Sequence, residues 1–250
     1  MSIFFVLCAF SLTAEMNSSS ISESQVIQSK PASESIQGQP VSGSAVLRTV
    51  MQINAGTSAD FVVNTIRSAE KIVDGMEALK GKPLKDREAQ LRKLITSSLD
   101  IPRLGERAMS AYWNKLGKTA KGKKQREKYM SLFRQLLEEN YMEQARKYIG
   151  GKYTIVIHTE VPSKEGLVTL NGRIKKKDVD VIVEWDLVKE AALWKIVDVR
   201  LDSTSLEATY RSSFNRIIKK RGGLEVGFPE LLQTMQKRLA ELKNGKATKL

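Results

Sequence analysis

The sequence predicts an α+β fold: a helical N-terminal half packed on an antiparallel sheet of four or more strands, followed by C-terminal helices. Three observations carry this. Apolar residues recur at helical spacing from Val62 to Tyr148. The period switches to two beyond Gly150-Gly151, from Tyr153 to Leu201. Helical spacing then returns from Leu206 to Leu242. An uninterrupted block of strands between two helical blocks does not suit a doubly wound sheet, in which the two alternate.

In the first block, Val62, Ile66, Ala69, Val73 and Met76 form one apolar stripe, with Gly81 and Pro83 as its stop. Asp86 is placed to cap a second helix carrying Leu91, Leu94 and Ile95. Asp100-Ile101-Pro102 opens a third, with proline at a tolerated early position, presenting Leu104, Met109, Tyr112 and Trp113. A basic loop from Lys115 to Lys124 precedes a long helix over Gln125–Ile149, striped by Met130, Phe133, Leu137, Tyr141 and Tyr148.

In the second block, Tyr153, Ile155 and Ile157 begin one strand and Leu167–Ile174 form another. Val179, Val181, Val183, Trp185 and Leu187 give the cleanest alternation, and Trp194–Leu201 is the fourth strand. The short connections favour an antiparallel meander. Thr204-Ser205-Leu206-Glu207 matches a capping box. The helix that it opens carries Leu206, Tyr210, Phe214 and Ile217, and ends at Lys219-Lys220-Arg221 before Gly222-Gly223. Phe228-Pro229 starts a last helix with Leu232, Met235, Leu239 and Leu242. An amphipathic helix layer over a curved sheet can enclose either a filled core or a cavity.

The chain is read as one folded domain over residues 59–243 with a tail at 244–250. Residues 1–14 contain the apolar run Ile3–Leu12, followed by Thr13-Ala14-Glu15. This fits the core of a signal segment, although no Lys or Arg precedes Ile3. Cys8 lies inside that run. Residues 15–58 are rich in Ser, Gln and Gly, with Pro31 and Pro40, and read as a flexible leader that cannot bury enough apolar area to order itself. No run approaches the ~18 apolar residues of a membrane span.

The composition of the 250 residues narrows the chemistry. One Cys leaves no internal disulfide and no CxxC site, and one His leaves no HExxH zinc site. GxSxG, Walker A and GxGxxG motifs are absent. His158, on a strand, is read as a solvent or core contact. Asp180, Glu184 and Asp186 share one strand face; they could serve acid–base chemistry, or simply form the wet face of a half-buried sheet. With 41 Lys+Arg against 28 Asp+Glu, the net charge is +13. It divides as −1, +8 and +6 over residues 1–58, 59–149 and 150–250. Clusters at Lys121–Lys124, Lys175–Lys177 and Lys219–Arg221 suit solvated loops or helix ends. The total points to an anionic partner, either nucleic acid or a lipid surface.

The stretch Trp194-Lys195-Ile196-Val197-Asp198-Val199, then Ser205-Leu206, then Tyr210-Arg211-Ser212-Ser213-Phe214, resembles the MlaC family of periplasmic phospholipid-binding proteins, also called the toluene-tolerance ABC-transporter auxiliary family. Tyr112-Trp113, Phe133 and Tyr141 sit where that family's helices carry aromatics, and the resemblance spans Asp60 to Leu242. It departs from the family at Glu190-Ala191-Ala192-Leu193, where members usually turn through a glycine-containing hairpin.

The resemblance implies an exported, periplasmic carrier without a cofactor, not an enzyme and not a nucleic-acid binder. Its cargo would be phospholipid, passed between an inner-membrane MCE-domain ABC transporter complex and an outer-membrane lipoprotein complex to maintain outer-membrane lipid asymmetry. The acyl tails would lie in an apolar pocket between sheet and helices. The pocket candidates are Leu104, Met109, Phe133, Leu137, Tyr141, Ile155, Ile157, Val181, Val183, Trp185, Ile196, Leu206, Tyr210 and Phe214. Two ordinary acyl chains represent on the order of 20 kcal/mol of apolar transfer free energy, so a carrier needs a cavity about as apolar as a bilayer. Two readings stand beside this one: a basic nucleic-acid-binding module, and an α+β enzyme built on Asp180, Glu184 or Asp186.

Overall fold

The first helix, α1 (Ser58–Val73), starts at a reciprocal cap. The Thr57 hydroxyl accepts from the Asp60 N–H at 3.1 Å, while Asp60 reaches back to Thr57. The structure, a computed structural model, describes residues 56–146, 153–163, 166–176, 179–191 and 193–244. The predicted signal segment, nearly all of the leader, Tyr148, Lys177 and most of the tail lie outside the described residues.

After α1 the chain turns through Gly75 (φ 67°) and a short 3₁₀ turn, Met76–Ala78. Helix α2 then spans Gly81–Ser98. Pro83 therefore sits in the first turn of α2, where its missing N–H costs nothing, and Asp86 lies within the helix instead of capping it. Helix α3 (Ile101–Met109) opens at the predicted Asp100-Ile101-Pro102, and the Asp100 carboxylate caps it, accepting from the Arg103 N–H at 3.0 Å. Ser110, at φ 50°, separates it from α4 (Ala111–Leu116). The expected basic loop is mostly helical, because α5 (Ala120–Arg146) starts at Ala120 rather than Gln125. Lys121, Lys123 and Lys124 thus ride on its opening turns.

The strands are β1 (Thr154–Pro162), β2 (Val168–Lys176), β3 (Val179–Glu190), β4 (Leu193–Leu201) and the short β5 (Thr204–Ser205). They pair antiparallel in the order β1-β2-β3-β4-β5, the predicted meander with one strand added. Pairing of Thr204 with Leu201 commits it to β5, so the cap of the next helix moves to Ser205, whose hydroxyl accepts from the Ala208 N–H at 2.9 Å. The capping box predicted on Thr204 is not formed.

Helices α6 (Leu206–Lys220) and α7 (Leu224–Lys243) complete the chain. Helix α7 begins ahead of Phe228-Pro229 and takes Pro229 into its interior, forfeiting one helical hydrogen bond. Gly227 lets α6 and α7 touch: a Cβ there would lie 2.4 Å from the Ile218 carbonyl oxygen.

Two bulges set the faces of the sheet. In β1 the register shifts between Ile157 and Thr159, leaving exposed His158 as the extra residue. In β4 Asp186 pairs with Asp198 but Leu187 pairs with Ile196, so Val197 is the extra residue. Strict alternation would put Ile196 and Val199 on opposite faces; the bulge lets both enter the core. Val197 instead joins Leu167 and Val188 in a small cluster of its own.

Candidate functional site

The inner face of the sheet is a ladder of apolar rows. Ile155, Ile174 and Val181 pair in sequence across β1, β2 and β3. Gly172 follows between Ile157 and Val183, then Leu170 beside Trp185 and Val199, then Val168 beside Leu187 and Ile196. Gly172 is small because a Cβ there would stand 2.5 Å from the Val156 carbonyl oxygen of β1, with the Trp185 ring at 3.0 Å. Helices α2, α3 and α6 meet β4, whereas α1 meets β1 and β2. Burial follows this layout: Val183, Trp185 and Ile196 are buried, while Ile155, Ile157 and Val181 are half-buried.

The helical side is built from rings. Phe133 on α5 meets Tyr210 on α6 edge-on at 5.1 Å, and Tyr129 one turn earlier meets Phe214 at 5.8 Å. Tyr129 also stacks on Phe133 at 5.7 Å and touches Phe228 of α7 at 6.3 Å. Its hydroxyl donates to the Gly105 carbonyl at 2.9 Å, and burial, reinforced by Tyr210, raises its pKa well above the ordinary tyrosine range. Gly105 packs closely under these rings, a Cβ there standing 3.0 Å from the Phe133 ring and 3.1 Å from Met130.

All fourteen predicted pocket residues fall in one apolar body. Leu104, Met109, Phe133, Leu137, Tyr141, Val183, Trp185, Ile196, Leu206, Tyr210 and Phe214 are buried members of the main core, and Ile155, Ile157 and Val181 pack against it. They divide into two groups. The ring cluster fills space between helices, and the sheet rows at β1–β3 are the part left half-covered. Sequence reading missed Tyr129, Ile174, Leu170 and Phe228. Tyr129 stands four residues before Phe133, the spacing that signals one helix face; the stripe drawn instead through Met130 follows a half-buried neighbour.

The junction Trp194–Phe214 has a definite physical role. The Asp198 carboxylate accepts from the Ser205 hydroxyl at 2.7 Å and from the Glu207 N–H at 2.9 Å, tying β4 to the start of α6. Leu206, Tyr210 and Phe214 then project into the core. Glu207 is held by Arg107 of α3 at 2.9 Å and by Arg211 one turn on at 2.8 Å. Trp194 lies apart from the ring cluster. Its indole N–H donates to the Gly56 carbonyl at 3.3 Å, Lys189 covers its ring at 5.4 Å, and it borders an open cleft of about 470 Å³ with Phe61, Asn64, Leu94 and Leu193. None of the fourteen candidates lines that cleft.

The strand-face carboxylates are engaged by cations. Asp180 pairs with Arg173 at 3.0 Å and Lys175 at 3.6 Å. Arg200 binds both Glu184 and Asp186. Asp186 is buried rather than on a wet face. Burial pushes its carboxyl up, but hydrogen bonds from Arg200 and Thr169 outweigh this and hold it below the usual value. Burial raises the neighbouring Asp198 carboxyl despite its hydrogen bonds from Ser205 and the backbone. A carboxylate clamped by a guanidinium is held ionised, which suits a structural tie better than proton transfer.

These features define an α+β protein in which helices cover the apolar face of an antiparallel meander, with a polar clasp joining the last long strand to a helix. Residues 65–237 match the MlaC protein family, and the chain belongs to that family. Among solved structures it is similar to the phospholipid-binding protein from Ralstonia solanacearum, determined in complex with a phospholipid. The TM-score is 0.57 at 20% identity, covering 73% of this chain and 97% of that one. No curated protein matches the chain.

Proposed function

We propose that the protein binds phospholipid and carries it through the periplasm, between an inner-membrane MCE-domain ABC transporter complex and an outer-membrane lipoprotein complex. The observation that carries this reading is the family match across both the helical layer and the sheet, over residues 65–237. The solved phospholipid complex of similar fold supports it.

The chemistry required is solvation rather than catalysis. Tails must leave a bilayer, enter an apolar interior of similar quality and leave again. Each CH₂ kept from water contributes about 0.8 kcal/mol, so a poorly lined pocket would strand the lipid in the membrane. In this reading the half-buried Ile155, Ile157 and Val181 receive the tails beside the buried Ile174, Gly172 and Val183 of the same rows, and the ring cluster forms the rigid back wall. Movement of α1 relative to β1 and β2 would widen the entrance. Helix α1 is tied to β1 by a hydrogen bond from Ser58 to Glu160 at 2.5 Å and to Tyr153 by a bond from its hydroxyl to Glu70 at 3.0 Å.

Transfer of a fluorescent phospholipid from donor to acceptor vesicles tests the reading. The rate should rise in proportion to added protein. A rate equal to spontaneous exchange at every protein concentration would overturn it.

A further inference from the structure

Two basic clusters about a hundred residues apart in sequence lie toward one end of the helical layer. Helices α5 and α6 run antiparallel, because Phe133 lies beside Tyr210 while Tyr129, one turn earlier, lies beside Phe214. Lys124 and Lys121 lie about one and a half to two turns before Tyr129, and Lys219 and Lys220 about one and a half turns beyond Phe214, in the same direction. Lys121, Lys123, Lys124, Lys219 and Lys220 therefore lie toward the same end of the layer, and all five are exposed. Phe228 against Tyr129, and Gly227 against Ile218, bring the start of α7 to the same end. Val226 is 63% exposed there. Tyr112 and Trp113 of α4 border it half-buried, Trp113 meeting Tyr129 at 6.2 Å.

The lysines on α5 are not explained by helix stability. Cations at a helix C-terminus complement the macrodipole, which accounts for Lys219 and Lys220. Cations at an N-terminus oppose it, and the first turn of α5 carries no acidic residue to offset them. We propose that this end of the molecule is a docking surface for an anionic lipid bilayer. The reading does not depend on what the interior carries.

Three observations favour a bilayer over other anions. The surface mixes flexible lysines with exposed or half-exposed apolar groups, the pattern that inserts shallowly among headgroups. Lysine acts as a point charge toward phosphate, whereas recognition of a partner's carboxylates favours the arginine fork. The arginines here are occupied: Arg221 pairs with Glu230 at 3.0 Å, and Arg126 lies over the Trp113 ring at 4.2 Å. That stacking, with Lys115 over Tyr112 at 5.9 Å, covers the ring faces that single-stranded nucleic acid would use. Glu127 and Glu225 are also exposed at this end, and basic residues outnumber them.

The test uses the full chain in vesicle flotation, with phosphatidylglycerol–phosphatidylcholine mixtures and phosphatidylcholine alone, at low and physiological salt. The protein should float with the anionic vesicles and release as salt rises. The variant K121E/K124E/K219E/K220E should lose at least tenfold in binding. The control K80E/K82E/K85E/K93E changes net charge equally at exposed lysines of α2 and its cap; it should stay within about twofold of the original chain, surface charges beyond a Debye length being screened. Circular dichroism confirms that both variants are folded. Equal loss in both variants, no flotation of the original chain, or patch-dependent binding to duplex DNA without vesicle binding would each overturn the proposal.

Discussion

Arg200 on β4 donates to both carboxylate oxygens of Asp186 on β3, at 2.6 and 2.9 Å. The pair lies where the register of β3 and β4 shifts, and Thr169 of β2 donates to the same carboxylate at 2.7 Å. Three strands are thus pinned at one buried acid. Its folded pKa lies below its unfolded value, so it contributes stability above the ordinary Asp value of about 3.9 and loses it as pH falls through the folded value. Asp198, shifted upward, acts in the opposite sense: its burdened charged form is relieved as pH falls.

Replacement of Asp186 by Asn should therefore cost about 2 kcal/mol at neutral pH, the worth of a charge-assisted buried bond. The difference from the original chain should shrink below about pH 4. Urea unfolding of both proteins across that range measures it. A difference that does not change with pH would contradict the assigned direction.

Gly227→Ala places a methyl group 2.4 Å from the Ile218 carbonyl oxygen. Backbone has to move, so the loss should be about 2 kcal/mol. The urea midpoint should fall with an unchanged slope. An unaltered midpoint would mean that α6 and α7 are further apart than described.

Substitution of the sheet rows should separate folding from lipid content. Val183 is fully buried, so Val183→Asp buries an unpaired charge and should prevent folding. Ile155→Asp and Val181→Asp fall at half-covered positions and should fold. On the carrier reading they lose co-purified phospholipid several-fold, measured by extraction beside a circular dichroism spectrum. Folded variants with full lipid content would remove these rows from the pocket.

Much of this fold is readable from period alone. The α+β order, the meander, the start of α3 at Asp100-Ile101-Pro102 and the glycine pair after α6 follow from local rules. The errors have local causes too. Pro83 and Pro229 read as boundaries because proline is a poor interior residue, yet a first-turn position tolerates one and tertiary packing against α6 sustains the other. Thr204 reads as a cap until a two-residue strand claims it. The Val197 bulge is invisible to alternation, which cannot place Ile196 and Val199 on one face. The apolar candidates were identifiable as core. Which of them stay half-covered depends on where α1 lies relative to β1 and β2, a long-range arrangement that no local pattern encodes. That two lysine clusters lie toward one end likewise depends on the opposed directions of α5 and α6, which the ring contacts between them fix.

The most direct measurement of the central claim is native mass spectrometry of the purified protein, paired with organic extraction of the same sample. A lipid carrier should show a bound species heavier than the polypeptide by the mass of a phospholipid, and phospholipid in the extract. A polypeptide-only spectrum and a lipid-free extract, persisting after incubation with phospholipid vesicles, would contradict it.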